Sequence, residues 1–113
     1  IKVNPTCVRI PVFYGHSEAV HIETAEPITP ADVERLLAKA PGVKVMKGEK
    51  YPTAVTQSAG TDPVFVGRIR KDISHDTGIN MWIVSDNVRK GAALNSVQIA
   101  ELLVDQNLIA NRG

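Results

Sequence analysis

The hydrophobic positions of this chain change period several times, and each change marks an element. From Cys7 to Tyr14, β-branched and aromatic residues dominate. Val8, Ile10 and Val12 fall on one side and Cys7, Arg9, Pro11 and Phe13 on the other, which predicts a strand. Pro11 has no N–H to give a ladder, so that strand is expected at an edge. After Gly15 the alternation resumes from Ser17 to Ala25, with Glu18, Val20 and Ile22 opposite Ala19, His21 and Glu23, a second and half-solvated strand. At Thr29-Pro30-Ala31-Asp32 the period lengthens. A threonine cap, a proline at the first helical position and an acid three residues after the cap predict a helix with the apolar stripe Val33, Leu36, Leu37, Ala40. Pro41-Gly42 ends it, and Val43 to Met46 reads as a short strand.

A polar run punctuated by Gly and Pro then extends from Met46 to Pro63, longer than most loops of a compact domain, and an outside partner is expected for it. Val64–Lys71 alternates, with Phe65 and Ile69 opposite Val64, Val66, Arg68 and Arg70. Ile79–Ser85 forms another strand beyond the turn Ser74-His75-Asp76-Thr77-Gly78, so the two make a hairpin. The last element starts near Asp86-Asn87 and runs to Val104. It is apolar over more than half its circumference, as a helix buried between layers would be. The order ββαβββα predicts an α+β domain with a mostly antiparallel or mixed sheet and helices on one face.

Composition narrows the function. The 113 residues suffice for one domain, and 43% hydrophobic with 22% charged residues is a globular balance. A net charge of +1 gives no broad field for nucleic acid or an anionic membrane, and five aromatic side chains leave little on which to stack bases. No apolar run approaches the roughly 20 residues needed to cross a bilayer, and one cysteine cannot form an internal disulfide. A cytoplasmic protein is expected. The start at Ile1, with no initiator methionine and no signal pattern, is expected to be a cut within a longer protein.

The chemistry concentrates between Arg9 and His16. A guanidinium can grip a carboxylate through a planar fork, and an imidazole can move a proton near neutral pH. Seven extended residues span about 23 Å, too far for one small ligand, so a bend is expected at Tyr14-Gly15, turning His16 toward the face of Arg9. On the residues alone Arg9 reads equally as an ion-pair partner between strands, and Cys7 as an inert small hydrophobe. Arg68, Arg70 and Lys71 read as solvated, His21 and His75 carry no assigned role, and no metal-ligating set is assigned. The small residues Gly91, Ala92 and Ala93 open the final helix with N–H groups available to a cofactor. Asn87 suits either an N-cap or a cofactor contact.

Three blocks carry a resemblance to a known family. They are Cys7-Val8-Arg9-Ile10-Pro11-Val12 with Gly15-His16-Ser17, then Val66-Gly67-Arg68-Ile69-Arg70-Lys71-Asp72, and then Ser85-Asp86-Asn87-Val88-Arg89-Lys90-Gly91-Ala92-Ala93-Leu94-Asn95-Ser96-Val97-Gln98-Ile99-Ala100-Glu101. In this order they resemble the C-terminal part of aspartate-semialdehyde dehydrogenase, an oxidoreductase with a domain plan like that of glyceraldehyde-3-phosphate dehydrogenase. The resemblance implies NADPH-dependent reduction of L-aspartyl 4-phosphate to L-aspartate 4-semialdehyde with release of phosphate, on the path to lysine, methionine and threonine, by a homodimer. It implies that His16 matches the acid/base histidine and Arg9 the arginine that holds the substrate carboxylate. Asn87, Gly91 and Asn95 would lie near NADP. The nucleophilic cysteine and the nucleotide-binding turn would lie upstream of Ile1, leaving this piece inactive alone. Residues 1–85 would then belong to the substrate and dimerisation domain, and 86–113 would pack on the nucleotide-binding domain. The rival expectations are a self-contained α+β module that binds an amino acid without chemistry, and a related phosphorylated-glutamate reductase.

Overall fold

The structure, a computed structural model, describes residues 1–48 and 50–108. Four strands, β1 (His16–Glu23), β2 (Val43–Val45), β3 (Val64–Lys71) and β4 (Gly78–Ser85), form one sheet in the order β1-β4-β3-β2. β1 and β3 run antiparallel to β4, and β2 runs parallel to β3. Two helices, α1 (Pro30–Leu37) and α2 (Leu94–Asp105), complete the regular structure with two short π turns at Ala54–Ser58 and Arg89–Ala93. The expected α+β class with a mixed sheet is therefore present. Residues 109–113, the end of the expected C-terminal unit, lie outside the described residues.

The helix start at Thr29 forms as its sequence dictates. Thr29 Oγ1 accepts from the Asp32 N–H, the Asp32 carboxylate accepts from the Thr29 N–H, and Pro30 occupies the first turn. α1 lays Val33 and Leu37 on one face of the sheet, where they meet Val20, Val43, Val64, Val66, Ile79, Met81 and Ile83. Ile79 is 1% exposed, and full burial of such a side chain contributes about 1.5–3 kcal/mol.

The opposite face is covered in part by the segment after β2. Pro52 sits on Gly67, where a Cβ would lie 2.6 Å from the proline Cδ, and the Trp82 indole N–H donates to Pro52 O at 2.9 Å. Pro52, Ala54 and Ser58 are buried. The long polar run expected to need an outside partner thus packs a good part of itself on its own sheet.

Two sequence expectations are corrected. Cys7–Tyr14 is not a strand: the segment carries no regular structure and is almost wholly exposed, with Phe13 99% accessible, and the order is βαβββα. Its alternation is real, but Pro11 turns the chain, with the Val12 N–H donating to Ile10 O at 2.9 Å, and a run so interrupted has no ladder to join. The second correction concerns β3. Its alternation holds only to Gly67, because a bulge sets Gly67 opposite Trp82 but Arg70 opposite Asn80. Arg68 occupies the extra position with φ of +52°, so Arg70 moves to the side of Phe65.

Candidate functional site

His16 is the first residue of β1, and its partner in the ladder is Ser85, the last residue of β4. Beyond Ser85 the chain turns through Asp86-Asn87 into the second π turn. His16, Glu18, Ser85, Asn87 and Gly91 line a shallow cleft of about 270 Å³ at this end of the sheet. His16 and Glu18 stand two residues apart and therefore on one face, with His16 Nε2 2.6 Å from Glu18 Oε1. A carboxylate only accepts, so Nε2 carries the proton of this pair and Nδ1 is the ring nitrogen left for another partner.

The backbone before His16 is tightly held. Gly15 has φ of +106°, a conformation open to glycine and costly for other residues, which supplies the bend expected at Tyr14-Gly15. A Cβ there would lie 2.5 Å from the Ala54 Cβ, so the first π turn packs directly against this bend. The Gly15 N–H donates to Asn87 Oδ1 at 2.8 Å, across 72 residues of chain.

Asp86 anchors the other side of the cleft. It is 3% exposed and accepts from the N–H groups of Gly60 (2.7 Å), Val88 (2.8 Å) and Arg89 (2.9 Å). These backbone donors, Gly60 first, hold its carboxyl below the ordinary carboxylate range. The residue capping this helical segment is thus Asp86 and not Asn87. The Gly91 N–H is also taken, by Asp86 O at 3.0 Å. The expectation of several available N–H groups at the head of the last helix is corrected accordingly, because Asp86 takes those of Val88, Arg89 and Gly91 and the Val88 carbonyl takes that of Ala93.

Of the residues singled out from the sequence, the cleft brings together His16, Asn87 and Gly91. Asn95 is half-buried further along α2 and does not line it. Arg9 does not reach the cleft either. It lies exposed on the irregular N-terminal segment, seven positions before His16, and among the described residues no carboxylate lies within ion-pairing distance of it. The interstrand ion pair that Arg9 suggested is absent for the same reason that the strand is. Cys7 is exposed on this segment too, not buried as a small hydrophobe. Glu18, Ala54 and Asp86 were not legible as site residues. Only Asp86 carried a signal, as a cap-forming residue type just before a helix.

Residues 1–90 match the family model described as the dimerisation domain of semialdehyde dehydrogenases. The chain belongs to this family. It is 68% identical over 105 residues to the aspartate-semialdehyde dehydrogenase of Shewanella violacea, a match covering 92% of this chain and 31% of that one. The Legionella pneumophila aspartate-semialdehyde dehydrogenase is 60% identical over 112 residues, covering 96% of this chain and 32% of its own length. Among solved structures, aspartate semialdehyde dehydrogenase II of Vibrio cholerae, complexed with ASA, superposes with a TM-score of 0.86 at 59% identity, over 90% of this chain and 30% of that one. The resemblance read from the three sequence blocks is therefore borne out, and this semialdehyde dehydrogenase domain spans about a third of the length of the relatives it matches.

Proposed function

We propose that this chain is the substrate-binding and dimerisation part of an NADPH-dependent aspartate-semialdehyde dehydrogenase, a cytoplasmic homodimer that converts L-aspartyl 4-phosphate to L-aspartate 4-semialdehyde and phosphate. The observation that supports the reading most is the shared cleft: His16 opens β1 beside Asn87 and Gly91, at the point where the sheet hands over to the final helix. In this reading His16 accepts and returns a proton at the reacting centre, with Glu18 taking Nε2–H and orienting the ring. Arg9 is exposed, lies outside the cleft and has no carboxylate partner among the described residues; in this reading it binds the α-carboxylate of the substrate as a bidentate fork.

The cleft residues fit the amide-bearing end of a dinucleotide in one respect. Asn87 spends its carbonyl oxygen on Gly15, which leaves the amide N–H₂ as a donor, and exposed Gly91 offers a surface without a side chain. When bound, NADPH supplies the hydride. Residues 1–85 form the substrate and dimerisation unit, and 86–113 pack on a nucleotide-binding domain. The exposed apolar side chains Val97, Ile99, Leu102 and Val104 on α2 favour this arrangement. The 113-residue piece alone is expected to be inactive.

The test is kinetic and uses the full-length enzyme. His16→Ala should lower kcat by about 10²–10⁴-fold, the usual worth of a positioned acid/base. Arg9→Lys should raise KM for the amino-acid substrate more than KM for phosphate or NADP⁺. Near-normal turnover in His16→Ala would remove that residue from the chemistry, and equal KM effects for all three ligands would remove Arg9 from the carboxylate site.

A further inference from the structure

The direction of an imidazole at the start of a strand depends on the torsion angles of the residue just before it. Here that residue is Gly15, and it is gripped from two sides. The Ala54 Cβ stands 2.5 Å from where a Gly15 Cβ would be, and the Ser58 Oγ lies 3.4 Å from the same point. From the other side Asn87 Oδ1 takes the Gly15 N–H at 2.8 Å. Asn87 cannot drift, because its neighbour Asp86 is buried and bonded to three backbone N–H groups. One of these belongs to Gly60, two residues past the Ser58 that ends the first π turn. The contacts Gly15 to Asn87, Asp86 to Gly60 and Ala54 to Gly15 thus close a ring around the bend, drawn from three separate parts of the sequence.

We propose that Asn87 is the positioning residue of His16: its carbonyl oxygen holds the Gly15 amide, and so the torsion angles that aim the imidazole into the cleft, while its amide nitrogen faces the ligand. The inference rests on His16 being the proton-handling group proposed above. One planar amide then serves two ends of the reaction site. Oδ1 can only accept and is consumed internally, whereas Nδ2 can only donate and remains for a bound group. The coupling is physical, since a ligand that pulls on Nδ2 also loads the hydrogen bond that aims His16.

The two atoms can be separated by mutation in the full-length enzyme, assayed at the pH optimum of each variant. Asn87→Ala loses both functions and should lower kcat about ten- to a hundredfold, the scale expected when a reacting group is misplaced by a fraction of an ångström to an ångström. It should also raise KM for NADPH. Asn87→Asp keeps an acceptor for Gly15 but loses the N–H₂ donor, so it should recover most of the lost kcat while KM for NADPH stays raised. Hydrogen exchange of the Gly15–Ser17 segment should be faster than wild type in Asn87→Ala and slowed again in Asn87→Asp. If Asn87→Ala does not fold, Asn87→Ser, whose hydroxyl falls one bond short of Gly15, takes its place in the comparison. Equal kcat losses in the Ala and Asp variants, or effects confined to KM in both, would overturn the proposal. His16→Ala in the same assay separates the two levels. Intact turnover there overturns the reading of His16 and this inference together. Lost turnover there, with no split between Asn87→Ala and Asn87→Asp, overturns this inference alone.

Discussion

At the scale of single residues, Gly15 carries the most consequence for its size. It holds φ of +106° and leaves no space for a methyl group beside Ala54. Gly15→Ala should therefore be destabilising twice over, by about 1–3 kcal/mol for the backbone and about 1–3 kcal/mol for the overlap. Denaturant unfolding of Gly15→Ala alone, and of Gly15→Ala with Ala54→Gly, separates the parts, since the second substitution relieves the overlap and leaves the strained φ. A loss below about 0.5 kcal/mol in Gly15→Ala would mean that neither constraint operates. The turn at Gly15 was legible, because glycine is the residue that adopts a positive φ most cheaply, but its expected consequence was not met: Arg9 and His16 do not share the cleft. The partner that holds the bend was not legible. Asn87 lies 72 residues away, and nothing local distinguishes an asparagine that caps a helix from one that reaches across to another strand's amide. Backbone direction decided between Asp86 and Asn87: the carboxylate of Asp86 points at the N–H groups of Val88 and Arg89, and Asn87 is left to face the cleft.

At the scale of elements, strands whose sequences alternate and the helix with its capping box formed where their sequences put them: β3 spans Val64–Lys71 despite the bulge at Arg68, and α1 begins at Pro30. The element that failed to form, Cys7–Tyr14, had the right composition and no partner. β1 lies at the open edge of the sheet, and its far end is tied down by a pair the sequence did not mark. His21 Nε2 on β1 lies 2.6 Å from Asp72 Oδ2, while Asp72 Oδ1 accepts from the Ser74 N–H (2.7 Å) and hydroxyl (2.8 Å) in the turn leading to β4. The Ser74 bonds, with a smaller part from His21, lower the Asp72 carboxyl from 3.8 to about 2. A carboxylate whose pKa is depressed in the folded state stabilises that state above its unfolded value and loses the effect as pH falls through the folded one. Asp72→Asn should accordingly be less stable than wild type at pH 7, with the difference shrinking as pH falls through 3.8 and lost only below about 2. Thermal unfolding of both proteins across that range measures it, and a difference independent of pH would show that the ionised form is not what stabilises the turn.

At the scale of the whole molecule, α2 is the element whose apolar surface exceeds what this domain covers. Val97 is 55% exposed and Val104 62%, one heptad apart and so on one side of the helix, and none of its residues is buried. If 86–113 pack on a nucleotide-binding domain as proposed, Val97→Lys with Val104→Lys in the full-length enzyme should remove two buried side chains. Each is worth about 1.5–3 kcal/mol, and the change should lower the melting temperature by about 5 °C or more. KM for NADPH should rise with it. An unchanged melting temperature would mean that this face stays in water in the complete protein. The amino-acid sequence by itself determined the α+β class, the capped helix, the β3–β4 hairpin and the family, because these depend on period, caps and motif order within short windows. Only the tertiary structure decided that the first apolar run stays unpaired and that the long polar segment folds back on its own sheet. It alone decided that His16, Glu18 and Asn87 meet while Arg9 stands apart. The reason is that each of these outcomes depends on which distant backbone group lies within about 3 Å, a distance that no local pattern encodes.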